Sequence, residues 1–214
     1  MTHPHNAFGV VGGRAAPGGQ SSSTRARQTD LTRRALVLSG RRALALGRAE
    51  RIGIASLARN ASVSTGMFYN YFDGKAQLFD AVMDEVNAEF AEILDVAAAT
   101  AHGDTSSAQL RALTRLGFST PDLASIALGQ GFGLLRYPAV FERLVEPVTA
   151  EIRVGSIADR DPAMTVDFLW AAVLAALHAW QRNAASVNPA WLESLVCQTV
   201  SVVRSPLRPP HPGL

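Results

Sequence analysis

The 214-residue sequence has one cysteine and one lysine. A lone Cys197 excludes an internal disulfide and any cysteine-built metal cage, and a small apolar core position accounts for it. Long apolar runs are missing. The longest, residues 168–177, is about half of the ~20 residues a membrane-spanning helix needs. The N-terminal segment has no apolar stretch of the secretory kind, because Phe8, Gly9, Val10 and Val11 run into Gly12 and Gly13. These absences predict a cytoplasmic protein. No segment alternates β-branched and polar residues with a period of two, so no sheet is expected. There is no His/Glu metal spacing and no nucleophile motif, which argues against an enzyme and for no cofactor or metal.

What is present is ordinary globular material, 48% apolar and 18% charged, with enough apolar residues for a core. The net charge of +2 hides a strong asymmetry. Residues 1–75 hold eleven basic and three acidic groups, net +8, whereas residues 76–214 hold nine and fifteen, net −6. The basic part suits a polyanion, since neutralising phosphates releases counterions. A solvated surface alone gives a milder split.

Residues 1–28 are rich in Gly, Ser, Pro and Ala and predict a disordered basic arm ending in Arg25 and Arg27. Apolar Leu36, Val37, Ala43 and Leu44 among arginines predict an amphipathic helix over 31–46, stopped near Gly47. Asp73 is placed to cap a long helix over 74–99, whose apolar Leu78, Phe79, Val82, Val86, Phe90, Ile93 and Leu94 follow helical steps. Further helices are expected over 107–118, from Pro121, from Pro138 to about 158, over 162–185 and over 189–204, most opened by an early proline. The glycines at 129, 131 and 133 follow no strand and read as a helix break, not as a nucleotide loop. Residues 205–214 form a Pro-rich tail. The total is about nine helices in an all-α fold.

The segment 51–78 carries the most information. It reads as a short helix over 53–60, a turn at Ala61, Ser62 and Val63, and a second helix capped by Ser64 over 65–71. Ile54, Leu57 and Ala58 face inward, as do Phe68 and Phe72. That leaves Thr65, Gly66, Met67, Tyr69, Asn70 and Tyr71 on other faces, more than a small core requires. Asn can pair with an adenine edge, and tyrosine hydroxyls can bond phosphates. Lys75 stands in the first turn of the next helix, where the macrodipole disfavours a cation unless an anion joins it. This is the outline of a helix-turn-helix DNA reader over 53–72.

These residues resemble the DNA-binding domain of TetR-family transcriptional regulators. The family pattern appears as Leu57-Ala58, Ala61-Ser62-Val63-Ser64, Gly66, Tyr69, Tyr71-Phe72 and Lys75, followed by Leu78, with its spacing kept. Ser64, Thr65, Gly66, Met67, Tyr69, Asn70, Tyr71 and Lys75, with Arg25 and Arg27 of the arm, are the expected DNA contacts. Three departures stand out: Ser62 in place of the turn glycine, Ala76 in place of Glu, and Gly53 in place of a capping Thr or Ser. The first predicts a left-handed serine at ~1 kcal/mol.

The resemblance covers about residues 30–80. It implies a reading domain over 29–76 and a regulatory and dimerisation domain over 77–204. It also implies a homodimer, a palindromic operator and a small-molecule pocket, hence a repressor released by a small effector; the few polar handles among apolar neighbours suit a hydrophobic one. Candidate pocket residues are Phe118, Phe132, Leu135, Phe168, Trp170 and His178, each also explicable by core packing. Candidate dimer residues are Trp170, Val173, Leu177, Trp180, Trp191 and Leu195. The competing reading is a helical dimerisation module whose DNA reader has decayed.

Overall fold

The computed structural model describes residues 19–158, 160–183 and 185–204. Among these there are nine α-helices and no strand. They are α1 Gly19–Ala45, α2 Ile54–Asn60, α3 Thr65–Tyr69, α4 Lys75–Ala99, α5 Thr105–Ser119, α6 Pro121–Gln130, α7 Pro138–Arg153, α8 Pro162–Asn183 and α9 Pro189–Arg204. The expected helix break falls at Gly131, with φ +54°, where α6 gives way to a 3-10 turn, Gly131–Arg136.

α1 begins at Gly19, well before the expected Leu31. The arm predicted over 1–28 is therefore helical from Gly19, and residues 1–18 lie outside those described. Composition misleads there because Ser and Gly have low intrinsic helix preference, which neighbouring turns can override. Prolines open α6, α7, α8 and α9, as expected for a residue whose missing N–H costs nothing in a first turn. α4 starts one residue late. Gly74, not Asp73, is its N-cap, and the Asp73 amide donates to Gln77 Oε1 at 2.6 Å.

α1, α2 and α3 form a small three-helix head whose core is Leu36, Val37, Ala43, Leu57, Ala58, Phe68 and Phe72. It runs into the main core through α4, where Leu78 and Val82 are fully buried. Gly40 lets α1 approach α4, since a Cβ there would stand 3.0 Å from Val82 Cγ2. Arg41 ties the same helices by charge. Its Nη2 donates to Glu89 Oε2 on α4 at 2.8 Å, its Nη1 also meets Glu89, and its Nε donates to Asp122 on α6 at 2.6 Å. The bond to Glu89 raises the Arg41 pKa above its ordinary value, against the opposing effect of burial and with help from Asp122. The cation is therefore permanent.

α8 has the length and composition to cross a membrane, yet it packs against α5, α6, α7 and α9. Its Trp170, Val173 and Leu177 are buried within the subunit.

Candidate nucleic-acid interface

The turn between α2 and α3 decides how α3 is presented. The Ser62 amide donates to the Arg59 carbonyl and the Val63 amide to the Ala58 carbonyl, at 3.0 and 2.9 Å. This is the paired bonding of a Schellman stop, which needs a left-handed residue at its centre. Ser62 supplies it with φ 58°, as the sequence led us to expect. The same pair of bonds closes α1 around Gly47, φ +62°, and α7 around Gly155, φ +75°. Where those two turns use glycine, the reading head uses serine.

α3 is then fixed at both ends. Ser64 caps it, its Oγ accepting from the Met67 amide at 3.1 Å. Phe68 is fully buried, edge-on to Tyr69 at 5.5 Å and tilted against Phe72 at 5.8 Å. Arg33 of α1 lies over the Phe72 ring at 5.5 Å. The rest of the helix faces solvent. Ser64, Thr65, Gly66 and Asn70 are exposed, and so are the large side chains Met67 (41%) and Tyr69 (55%). Asn70 Nδ2 lies 3.5 Å from Met67 Sδ, so these two share one face. Tyr71 is half-buried.

α2 and α4 carry no side-chain cap, at Gly53 and Gly74 respectively. Their first-turn amides point along the helix axis with the positive end of the dipole. Lys75, half-buried at the start of α4, donates from Nζ to the Glu50 carbonyl at 2.6 Å. It thereby ties the α1–α2 loop to α4 while two ammonium protons stay available. Arg27 is exposed on α1, and Arg25 is on the same helix with its side chain outside those described.

Residues 41–82 match the family model of bacterial regulatory proteins, tetR family. The reading head belongs to the TetR family. Solved TetR-family structures match most of the chain. One is a TetR-family transcription regulator from Marinobacter aquaeolei VT8, 16% identical over 83% of this chain and 98% of that one, with a TM-score of 0.69. Another is the fatty acid degradation regulator FadR from Bacillus halodurans, 14% identical over 78% and 93%, TM-score 0.65. A third is RolR in complex with resorcinol, 21% identical over 84% and 94%, TM-score 0.57. At such identities the likeness is one of fold. No curated protein matches the sequence.

The helices beyond the head, α4 to α9, place the other expected residues less simply. Of the six pocket candidates, Trp170 alone lines a cavity between α5, α7 and α8. Phe118, Phe132, Phe168 and His178 are exposed and Leu135 is half-buried, so the six do not converge. Sequence reasoning missed Ser106 and Gln109, which line that cavity, and Glu151 beside it. The signal was there: polar residues stand on the apolar stripes of α5 and α7, where Leu110, Leu113, Leu144 and Val148 mark the buried face.

Among the dimer candidates, Trp170, Val173 and Leu177 are corrected to intrasubunit core. α8 is apolar nearly all round; Leu169, Trp170, Val173 and Leu177 turn inward, while Met164, Phe168 and Ala175 are left exposed. Trp180 is half-buried, edge-on to Phe118 at 6.2 Å. Trp191 (57%) and Leu195 are exposed, and with Ala172, Ala175, Ala179 and Thr199 they line an apolar groove on α8 and α9. Phe168 on α8 and Val202 on α9 are exposed as well.

Proposed function

We propose that this protein is a ligand-responsive, sequence-specific DNA-binding transcriptional regulator, acting as a repressor on a palindromic operator. The observation that carries the reading is α3 itself. A five-residue helix buries one side chain, Phe68, and holds Thr65, Gly66, Met67, Tyr69 and Asn70 to solvent on a capped, tightly stopped frame. A helix kept only for stability has no reason to expose Met67 and Tyr69 together.

In this reading Thr65, Met67 and Asn70 meet base edges. Tyr69, Tyr71, Lys75 and the uncapped first turns of α2 and α4 meet phosphates, and Ser64 and Gly66 permit close approach. Arg25 and Arg27 add basic charge on α1. The half-site partner is a second copy joined through the apolar α8–α9 face, and two-fold symmetry then calls for a palindrome. The fold neighbour RolR was solved with resorcinol, which supports a small-molecule effector in the regulatory half.

The test is DNase footprinting on DNA flanking the protein's own gene. Protection of a palindrome, weakening with salt, supports the regulator. Salt-sensitive binding without sequence preference supports the decayed reader.

A further inference from the structure

Gln109 of α5 is buried, 2% exposed, in the space between α4, α7 and α8. Its Nε2 donates to the Arg143 carbonyl on α7 at 3.0 Å and to the Leu94 carbonyl on α4 at 3.4 Å. Two carbonyls on the amide nitrogen fix the flip of the side chain, because reversing it would set oxygen against oxygen. Oε1 is thus an acceptor, and it has no hydrogen-bond partner. Ser106, one turn earlier and 3% exposed, is in the same state: its amide donates to Glu151 Oε1 at 3.0 Å, and its Oγ has no partner. Both residues line one cavity, whose other walls are Leu110, Leu144, Val148, Val166, Leu169 and Trp170. A buried polar atom without a partner is costly, so two at one apolar cavity mark a place where something is meant to bind.

We propose that this cavity receives a small neutral molecule with an apolar body and a hydroxyl that donates to Gln109 Oε1, with Ser106 Oγ engaging the same hydroxyl. A neutral donor fits because no charged side chain lines the cavity. Glu151 stands outside the lining: its Oε1 accepts from the Ser106 amide, and its Oε2, without a hydrogen bond of its own, is charge-paired with Arg204 Nη2 at 3.7 Å. The free space is about 10 Å³, room for a single water, so a ring enters only by parting the helices. One wall is placed to pass that movement on. Trp170 stands edge-on to Phe90 of α4 at 6.5 Å and donates to the Gly131 carbonyl at 3.1 Å. α4 leads directly to Lys75 and the reading head.

The binding claim stands apart from DNA recognition; only its regulatory consequence rests on the proposed function. Phenol, anisole and toluene, titrated into the full-length chain with melting temperature and calorimetry as readouts, test it. Phenol is expected to bind at least about tenfold more tightly than anisole or toluene, since only phenol offers a donor. Gln109→Met is expected to erase that preference and leave toluene binding in place, and Ser106→Ala to weaken phenol a few-fold. Equal binding of the three by the wild-type chain overturns the proposal, and so does binding of none, which would mean a cavity for water only. A phenol preference that survives Gln109→Met also overturns it. Should Gln109→Met not fold, the wild-type comparison of phenol with anisole decides alone. A mobility shift with and without phenol separates the two claims: phenol binding without release of DNA keeps the receptor and removes the effector role. Failure of the chain to bind DNA at all removes the regulator reading and leaves the titration intact.

Discussion

The reading head turns its polar and flexible side chains outward, around Thr65, Met67, Tyr69 and Asn70, over a core of a few large residues. The C-terminal half, proposed to be regulatory, does the reverse, hiding Ser106, Gln109 and Glu151 among leucines and valines. On the proposed function, the contrast follows from what each half would meet. A duplex is too large to be enclosed and has to be read from a surface, whereas a small molecule is discriminated best when water is excluded around it. The two halves share one strong charged joint, Arg41 with Glu89 and Asp122.

Breaking that joint is the most damaging way to probe the contrast. Arg41→Met leaves two carboxylates facing each other without their cation. It is expected to lower stability by about 2 kcal/mol, less than a fully buried pair because both carboxylates are partly exposed. Separate unfolding of head and regulatory half, seen in calorimetry as two transitions, is the accompanying outcome; a single unshifted transition would show that apolar packing through α4 joins the halves unaided.

Two substitutions sharpen the outward half. Asn70→Ala is expected to change sequence preference at one operator position by about 1–3 kcal/mol. Lys75→Ala should weaken binding to all sequences alike and reduce the salt slope by about one. Unchanged affinity of Lys75→Ala at low salt would confine that lysine to holding the Glu50 carbonyl. Both are read by fluorescence anisotropy over a salt series.

The turn at Ser62 offers a smaller and opposite effect. Ser62→Gly relieves a left-handed serine and should stabilise by about 0.5–1 kcal/mol, raising the melting temperature by roughly 2 °C without altering the operator. A lowered melting temperature would mean that the serine side chain contributes more than its backbone strain costs.

The smallest effect concerns pH. Asp104 caps α5, accepting from the Ser107 amide at 3.1 Å, and pairs with Arg204 at 2.7 Å. Burial pushes its pKa up, but the Ser107 bond and Arg204 outweigh burial and hold it below its ordinary value. Stability from this group is therefore present above the unfolded value of about 3.9 and is lost as pH falls through the lower folded value. Asp104→Asn keeps a cap and loses the charge, so it should slightly reduce stability at neutral pH and flatten the acid limb of unfolding. An unchanged acid limb would place that sensitivity elsewhere.

Much of this architecture was legible in the residues. Proline at the start of α6, α7, α8 and α9 fixes their first turns locally, and the α2–turn–α3 pattern is set within about twenty residues. Even the strained Ser62 could be foreseen, because the turn bonding leaves no other geometry for that position. The rest depends on neighbours far along the chain. α8 is apolar on nearly every face, so its own residues do not decide which side turns inward; α5, α6 and α7 do, and they took Trp170, Val173 and Leu177. The cavity is a meeting of α5, α7 and α8, visible beforehand only as Ser106, Gln109 and Glu151 out of place on apolar stripes. The start of α1 was hidden because its Ser- and Gly-rich composition favours no structure by itself.

On the proposed function, the exposed face of α3 reads a DNA sequence. Footprinting of wild type and Asn70→Ala side by side, on DNA flanking the protein's own gene, tests it most directly. The expected result is a two-fold symmetric protected site for the wild type, with lost or shifted preference at the same position in both half-sites for the variant. An identical footprint for both proteins would contradict the assignment of α3, and protection without any preferred site would contradict sequence reading altogether.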